Sequence, residues 1–345
     1  MTFPGPMARF AKDVAATFAQ AFDGALPREH TAFALAVSGG PDSMAMLALA
    51  HGAFPGRVAA ATFDHRLRTG SADEAAMVAL ACARLGVPHE TLHPAAPIAG
   101  ASIQRQAREA RYAALTRWAG ADRPLLTAHH ADDQAETLLM RLNRGSGLPG
   151  LSAIRAARLD DGVAVLRPLL GWRRADLRAV VEGAGLPFVD DPANVDPRHD
   201  RTRVRALLAA NPALDPVALA ASARWLAEAE EVVAREAEAA WSERWHGGDR
   251  PFHVADLPRE LRRRLLRRAI SDMRHGLGIV LPPFGPASNV EATLDALEAG
   301  RSAVQGGVMA RATRDGWTFR PAPPRRTGRR TGGTDQTDRT PLDCL

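Results

Sequence analysis

Apolar positions along the chain follow two regimes. From Phe33 to about Phe188, short apolar runs alternate with longer segments whose apolar residues recur at helical spacing. Phe33–Val37, Val58–Phe63, Pro88–Leu92 and Leu125–Ala128 read as buried strands, and Met44–His51, Ala72–Leu85 and Ile103–Trp118 as the helices between them. This alternation predicts an α/β fold, a doubly wound, mainly parallel sheet with helices on both faces. Ligands of such sheets collect outside the carboxyl ends of the strands. The segments starting at Ser38, Asp64-His65 and His129-His130 each follow a strand directly, so all three are expected at one crevice.

After Asp190-Asp191-Pro192 the pattern turns helical, over Arg203–Ala210, Val217–Trp245 and Leu257–His275. Asn211-Pro212 and Asp215-Pro216 are strong breakers and put a domain boundary near Pro212. Residues 1–212 then form the first domain and 213–321 a mainly helical second one. Short apolar pieces among Gly and Pro from Val280 to Pro321 add a small sheet, and Trp225, Trp241 and Trp245 are expected in the helical core. Residues 322–345, poor in apolar side chains and repetitive, read as a disordered tail. Phe10, Val14, Phe18 and Phe22 recur at helical spacing around Lys12 and Asp13, an amphipathic helix and not a signal peptide. No run approaches the roughly eighteen apolar residues of a membrane span.

A length of 345 residues fits about two domains. The formal charge of +5 and a pI near 10.3 are compatible with a polyanionic partner without requiring one. Lys12 is the only lysine, so the positive charge is carried almost wholly by arginine, a bias that a GC-rich coding sequence explains. Cys82 and Cys344 are the only cysteines. They exclude a disulfide framework and the Cys-x-x-Cys spacing of zinc or iron–sulfur sites, and they favour a reducing cytoplasm.

Between the first strand and the first helix of the alternating region stands Ser38-Gly39-Gly40-Pro41-Asp42-Ser43. Two glycines let backbone N–H groups approach a phosphate, and the helix N-terminus behind them adds partial positive charge. The loop lacks the Gly-Lys-Ser/Thr of a Walker A motif. It resembles the signature of the PP-loop ATPases, which implies cleavage of ATP between the α and β phosphates with pyrophosphate held on the loop.

The second informative segment is His129-His130-Ala131-Asp132-Asp133-Gln134-Ala135-Glu136-Thr137. Asp132 and Asp133 fall in the first turn of a helix, where negative charge is stabilised, and Asp133 and Glu136 share a face. Such a pair binds a metal ion or a ligand ammonium group, unless it is only a solvated cap. His129 and His130 have no third ligand at a spacing that completes a zinc site. Arg108 and Arg111, with Tyr112, present two guanidinium groups on one helical face, suited to phosphate or nucleotide or simply to solvent. Arg201, Arg203 and Arg205 alternate. Arg259–Ile270 is a basic amphipathic helix in which Leu261, Leu265, Leu266 and Ile270 make the buried stripe.

With Arg144-Gly145-Ser146-Gly147-Leu148-Pro149-Gly150-Leu151-Ser152 downstream, the combined pattern resembles the tRNA(Ile)-lysidine synthase family. The likeness extends to Phe63–Arg68, Gln106–Tyr112, Arg167-Pro168-Leu169-Leu170, Asp190–Asn194 and Arg201–Arg205. Ala193 and Thr202 depart from the serine and asparagine usual there. The resemblance implies adenylation of C2 of the wobble cytidine in a CAU anticodon of isoleucine tRNA, then displacement of AMP by the ε-amine of free lysine. It implies ATP and Mg²⁺. Ser38, Gly39, Gly40, Pro41, Asp42 and Ser43, with Arg108 and Arg111, would bind ATP, and Asp42 would hold Mg²⁺. Asp42, His130 and Asp132 would be catalytic, His130 as the base that takes the amine proton. Asp133 and Glu136 would receive the lysine ammonium, and Arg201, Arg203, Arg205, Arg263 and Arg267 would contact tRNA. The rival readings are another PP-loop tRNA-modifying enzyme, an amide-forming synthetase or a non-catalytic RNA-binding protein. A homodimer stays open.

Overall fold

The computed structural model describes residues 4–67, 70–100, 102–190 and 200–323. The chain divides into two compact units, Met1–Glu231 and Val232–Leu345. In the first, six strands form one sheet: β1 (Phe33–Ala36), β2 (Val58–Phe63), β3 (His89–Leu92), β4 (Leu125–Leu126), β5 (Ala157–Asp160) and β6 (Val163–Leu166). Their order is β3-β2-β1-β4-β6-β5, all pairings parallel except the edge hairpin β5–β6.

Side-chain alternation along these strands feeds two cores. Phe33, Leu35, Leu126 and Leu166 pack on one face with Phe10, Met44 and Leu47, while Ala34, Leu125 and Val165 pack on the other with Tyr112 and Leu115. The helices are α1 (Pro4–Ala21), α2 (Pro41–Ala53), α3 (Ser71–Leu85), α4 (Ile103–Ala119), α5 (Ala131–Asn143), the single turn α6 (Leu148–Leu151), α7 (Arg174–Gly183), α8 (Asp200–Ala210) and α9 (Pro216–Arg244). Phe10 and Val14 of α1 are completely buried, and Phe18 is partly buried against the same core. No helix among the described residues is long and apolar enough to cross a membrane.

Three expectations need correction. The hairpin β5–β6 was absent from the expected strands, although Asp161 (φ 48°) and Gly162 (φ 80°) between its arms are the Asp-Gly pair that favours a tight hairpin turn. The breakers near Pro212 separate α8 from α9 but not the compact units, because Ala223 and Leu226 of α9 pack with Leu138 and Ala153 of the first unit. Trp225, expected in a helical core, is 60% exposed.

In the second unit, helices α10 (Arg259–Gly276) and α11 (Glu291–Glu298) accompany an antiparallel sheet of β7 (Ser302–Gln305), β8 (Val308–Thr313) and β9 (Gly316–Pro321). Leu265, Leu266 and Ile270 of α10 form its core with Phe252, Leu294 and Phe319. Trp241 and Trp245 stack at 4.6 Å and meet Phe252 edge-on. The expected loop at 191–194 and the tail beyond 323 lie outside the described residues.

Candidate active site

β1 sits in mid-sheet with β2 on one side and β4 on the other, so the chain reverses its direction of winding between β1 and β4. A crevice opens at such a point, and the loops after β1 and β4 line it. The loop after β1 is Ser38–Ser43. Gly39 takes φ +87°, and a Cβ there would press on Met77 Cε at 3.3 Å and Val78 Cγ2 at 3.4 Å, so the position needs glycine on both counts. Ser43 Oγ donates to the Gly40 carbonyl at 2.9 Å and accepts from the Ser38 N–H at 3.1 Å, which closes the loop on itself. Pro41 starts α2 with no N–H to satisfy, and no side chain caps the helix, so its first-turn N–H groups remain available to an anion. The Val189 N–H bonds the Gly39 carbonyl at 2.9 Å and ties the segment after α7 to the loop.

The segment after β4 ends at His130, which is 1% exposed and precedes α5. Asp133 Oδ2 accepts the His130 N–H at 3.1 Å and so helps fix the start of the helix. The imidazole faces three carboxylates. Nε2 lies 3.4 Å from Asp42 Oδ2 and 3.5 Å from Asp133 Oδ2, and Nδ1 lies 3.6 Å from Asp132 Oδ2. These are ion-pair separations without hydrogen-bond geometry. Burial pulls the imidazole pKa down, but the carboxylates of Asp132, Asp42 and Asp133 outweigh it and raise the value to about 9. His130 is therefore an imidazolium at neutral pH. That conflicts with the expected role of general base, because the group that would accept a proton already carries it.

Asp132, Asp133 and Glu136 form a wall along α5, and their cations are already in place. Asp132 Oδ2 accepts the Arg174 N–H at 2.8 Å; burial raises its pKa, and the partners His130 and Arg174 bring it well below the usual carboxylate range. Arg201 bridges the other two, with Nη2 2.6 Å from Asp133 Oδ1 and Nε 2.6 Å from Glu136 Oε2. Arg205 Nε reaches Glu136 Oε1 at 2.9 Å and Arg174 Nη2 reaches it at 3.3 Å. Glu136 is 1% exposed; burial pushes its pKa up and Arg205 and Arg201 carry it below the ordinary value. Arg201 and Arg205, expected on tRNA, thus point at the wall, while Arg203 pairs with Asp200. Arg173 and Arg174 were not anticipated. Their only signal was an Arg-Arg pair at the start of a helix, too common to single out.

Arg108 and Arg111 of α4 lie with their guanidinium carbons 5.0 and 5.6 Å from the Tyr112 ring centre, and Arg158 of β5 lies at 4.7 Å. Burial, reinforced by Arg167, Arg108, Arg111 and Arg201, holds His129 well below the ordinary histidine range, so it is neutral. Tyr112 Oη, Arg158 Nε and Arg167 Nε are buried without hydrogen-bond partners. Arg108, Arg111, Arg158 and Arg167 gather positive charge here, of which Asp160 pairs only with Arg158, and an anion would answer it. Arg158 belongs to the unanticipated hairpin. Arg167 was visible in Arg167-Pro168-Leu169-Leu170 but carried no role.

For a metal ion, the relevant observation is Asp42 Oδ1, buried and without a hydrogen-bond partner. Among the described residues no cluster of three or more His, Cys, Asp or Glu could cage an ion. One carboxylate beside a phosphate-binding loop is how Mg²⁺ is held together with nucleotide phosphates, and Asp42 fits that role.

Comparison with known proteins agrees with this layout. The PP-loop domain family matches residues 9–211. The tRNA(Ile)-lysidine synthase of Novosphingobium aromaticivorans is 47% identical over 304 residues, covering 86% of this chain and 90% of that protein. The chain belongs to the tRNA(Ile)-lysidine synthase family. The Zymomonas mobilis member is 39% identical over 301 residues, covering 85% of this chain and 89% of its own. Among solved structures, the U34-tRNA thiolase NcsA of Methanococcus maripaludis aligns with a TM-score of 0.50 at 17% identity, over 64% of this chain and 80% of its own. That likeness is one of fold. The PP-loop domain of this family member supports the use of ATP.

Proposed function

We infer that this chain joins the ε-amine of free lysine to C2 of the wobble cytidine in a CAU anticodon of isoleucine tRNA, with cleavage of ATP to AMP and pyrophosphate. One observation carries the reading: His130 couples Asp42, behind the phosphate loop, to Asp132 and Asp133 on the carboxylate wall. A phosphate cradle and a cation-binding wall are thereby held at one crevice, as a reaction between an activated nucleotide and a cationic amine requires.

In the first half-reaction the cytidine C2 oxygen attacks the α-phosphorus, the bond to the β-phosphate oxygen breaks, and pyrophosphate leaves onto the first turn of α2. Ser38, Gly39, Gly40 and Ser43 line that cradle, and Arg108 and Arg111 clamp the nucleotide. Asp42 would hold Mg²⁺, which when bound would supply positive charge against the phosphate oxygens. In the second half-reaction the lysine ammonium exchanges with a guanidinium on the α5 wall, loses its proton to solvent water, and attacks C2 as AMP departs. His130 remains an imidazolium and offsets the negative charge of the three carboxylates around it. Arg201, Arg203 and Arg205 then serve the wall and α8 itself rather than the tRNA backbone.

The test is mass spectrometry of the wobble nucleoside after incubation with isoleucine tRNA, ATP and lysine. Lysidine is expected only when all three are present. A thiolated product would favour the rival tRNA-modifying reading, and an unmodified cytidine with tight tRNA binding would favour the non-catalytic one.

A further inference from the structure

The turn that joins β6 to α7 is held from two sides. Trp172, 2% exposed, donates its indole N–H to Asp13 Oδ2 of α1 at 2.8 Å. Arg9, one helical turn earlier on α1, lies with its guanidinium carbon 4.1 Å from the centre of the Trp172 ring, and its Nη2 donates to the Gly171 carbonyl at 2.7 Å. On the other side the Trp172 carbonyl accepts the Ala131 N–H at 2.8 Å. Ala131 opens α5, and its N–H is one of the four that a helix start leaves without an internal partner. Two residues beyond Trp172, the Arg174 N–H bonds Asp132 Oδ2 at 2.8 Å. A chain of contacts thus runs from α1, through the indole and the backbone that carries it, to the first turn of the carboxylate wall.

We propose that Asp13 and Trp172 are positioning residues for the lysine-dependent half of the reaction, the indole N–H bond fixing the turn whose backbone then sets Ala131 and Asp132. The proposal rests on the reading of α5 as the wall that receives the amine, and it adds a support for that wall from outside the crevice. A buried indole N–H left without an acceptor is costly, so Asp13 selects one ring orientation and with it the place of the Trp172 backbone. Arg9 adds a second hold on that backbone through Gly171, and its Nε, 3.8 Å from Asp13 Oδ2, braces the pair along α1. Phe10 and Val14, one position along from each, carry the packing of α1 on the core that Met44 and Leu47 of α2 share. The polar hold on the turn is therefore separable from the packing that supports the helix behind the phosphate loop. Arg9 and Asp13 are 46% and 34% exposed, so neither is a buried charge on which the folding of the unit depends.

Amide hydrogen exchange of the full chain tests the support directly, because the Ala131 and Arg174 N–H groups are themselves the bonds in question. Asp13→Ala and Trp172→Phe are expected to speed exchange at these two amides about tenfold or more and to leave Met44 and Leu47 of α2 within about twofold. Asp13→Asn, which keeps an oxygen acceptor for the indole, is expected to stay near the parent. In the reaction, Asp13→Ala should lower kcat/KM for lysine in the discharge of adenylated tRNA about tenfold, since a displacement of about 1 Å at reacting groups costs up to about a hundredfold. Pyrophosphate release should change by less than about threefold, and Val14→Ala, which loosens packing instead, should lower the two half-reactions alike. Exchange that rises equally in α2 and α5, an Asn variant as impaired as the Ala one, or equal losses in both half-reactions for Asp13→Ala would reduce the two residues to general stabilisers and overturn the proposal while lysidine formation stands. If the parent forms no lysidine, the functional reading has failed and exchange alone decides. Selective exchange at Ala131 and Arg174 then keeps Asp13 and Trp172 as the support of α5, and unselective exchange discards that support as well.

Discussion

Two networks of arginine and carboxylate side chains stand in this chain, one on α5 and one on α10, and they differ in where their charges lie. On α5, His130 and Glu136 are each 1% exposed and Asp133 is 14% exposed, so these groups have left water, while Arg201, which bridges the two carboxylates, is 46% exposed. On α10, Arg259 and Arg263 meet Glu291, which is 43% exposed, Arg259 also meets Asp295 at 61%, and Arg264 meets Glu260 at 36%. Arg268 pairs with Glu238 and lies 4.4 Å from the Trp241 ring centre. The expected open cationic face on α10 is therefore offset by its own acids, and Arg267, expected on tRNA, donates to the Ser288 carbonyl at 3.0 Å. Removing one partner from a buried pair leaves an uncompensated charge, while an exposed pair rehydrates. Sequence spacing is similar in the two helices, and burial separates a candidate site from a solvated face.

The sharpest way to break this contrast is Asp42→Ala, which removes a member of the buried assembly that also serves the phosphate loop. Pyrophosphate release in the presence of tRNA is expected to fall by about a thousandfold or more, the scale of losing a preorganised electrostatic contact to a reacting phosphate, with tRNA binding retained in a filter assay. Near-normal release would take Asp42 out of the mechanism. Glu136→Ala comes next. It strands Arg201, Arg205 and Arg174 around an empty position and is expected to lower the unfolding free energy by about 3–5 kcal/mol in urea titration. Glu136→Gln, which keeps one acceptor oxygen and turns the other into an N–H donor, should be milder in stability yet still block the lysine-dependent step after adenylated tRNA has formed. A stability loss under about 1 kcal/mol for Glu136→Ala would put the α5 network in the same class as that of α10.

The parts of this arrangement legible in the sequence are those set by local rules. Alternating apolar runs gave β1 to β4 and the helices between them, and the glycines and Pro41 marked the phosphate loop because backbone geometry demands those residue types there. The β5–β6 hairpin escaped despite its Asp161-Gly162 turn, because Ala157–Asp160 has a mixed, half-exposed pattern and Val163–Leu166 is only four residues long. The occupancy of the wall was illegible for a different reason. Asp133 and Glu136 announce a cation site, but Arg201 is 65 residues beyond Glu136, and nothing local in the sequence says that its guanidinium turns back to fill the site. The raised pKa of His130 likewise needs Asp42, from the other loop, in the same small volume.

That histidine supplies a smaller, pH-resolved test of the contrast. Its folded-state pKa of about 9 lies above the ordinary 6.5, so the charged form is the one that folding favours. The stability it contributes is fully present below pH 6.5 and is lost as pH rises through about 9, to a limit of about 3 kcal/mol. Urea unfolding of the parent protein between pH 6.5 and 8.5 should show a declining free energy, and His130→Gln should flatten the decline. The window ends there because Cys82, whose pKa burial raises from 9.0 to about 11, adds its own loss at higher pH. Equal slopes in parent and variant would mean that the imidazole is neutral between its carboxylates.

The smallest effect is expected on α10. Replacing Arg263 and Arg267 together with glutamine removes the Arg263 pairs with Glu260 and Glu291 and the Arg267 bond to Ser288. Because these acids are a third or more exposed, the change in unfolding free energy should stay near or below about 1 kcal/mol. The salt dependence of tRNA binding should also keep its slope, since counterions are released only by cations that meet phosphates, and these two already face acceptors of their own chain. A slope reduced by about one for each arginine removed would show that Glu260 and Glu291 yield their arginines to phosphate when tRNA arrives. The α10 network would then be a site held shut by internal partners, as the α5 wall is held by Arg201, and exposure would no longer be what separates the two.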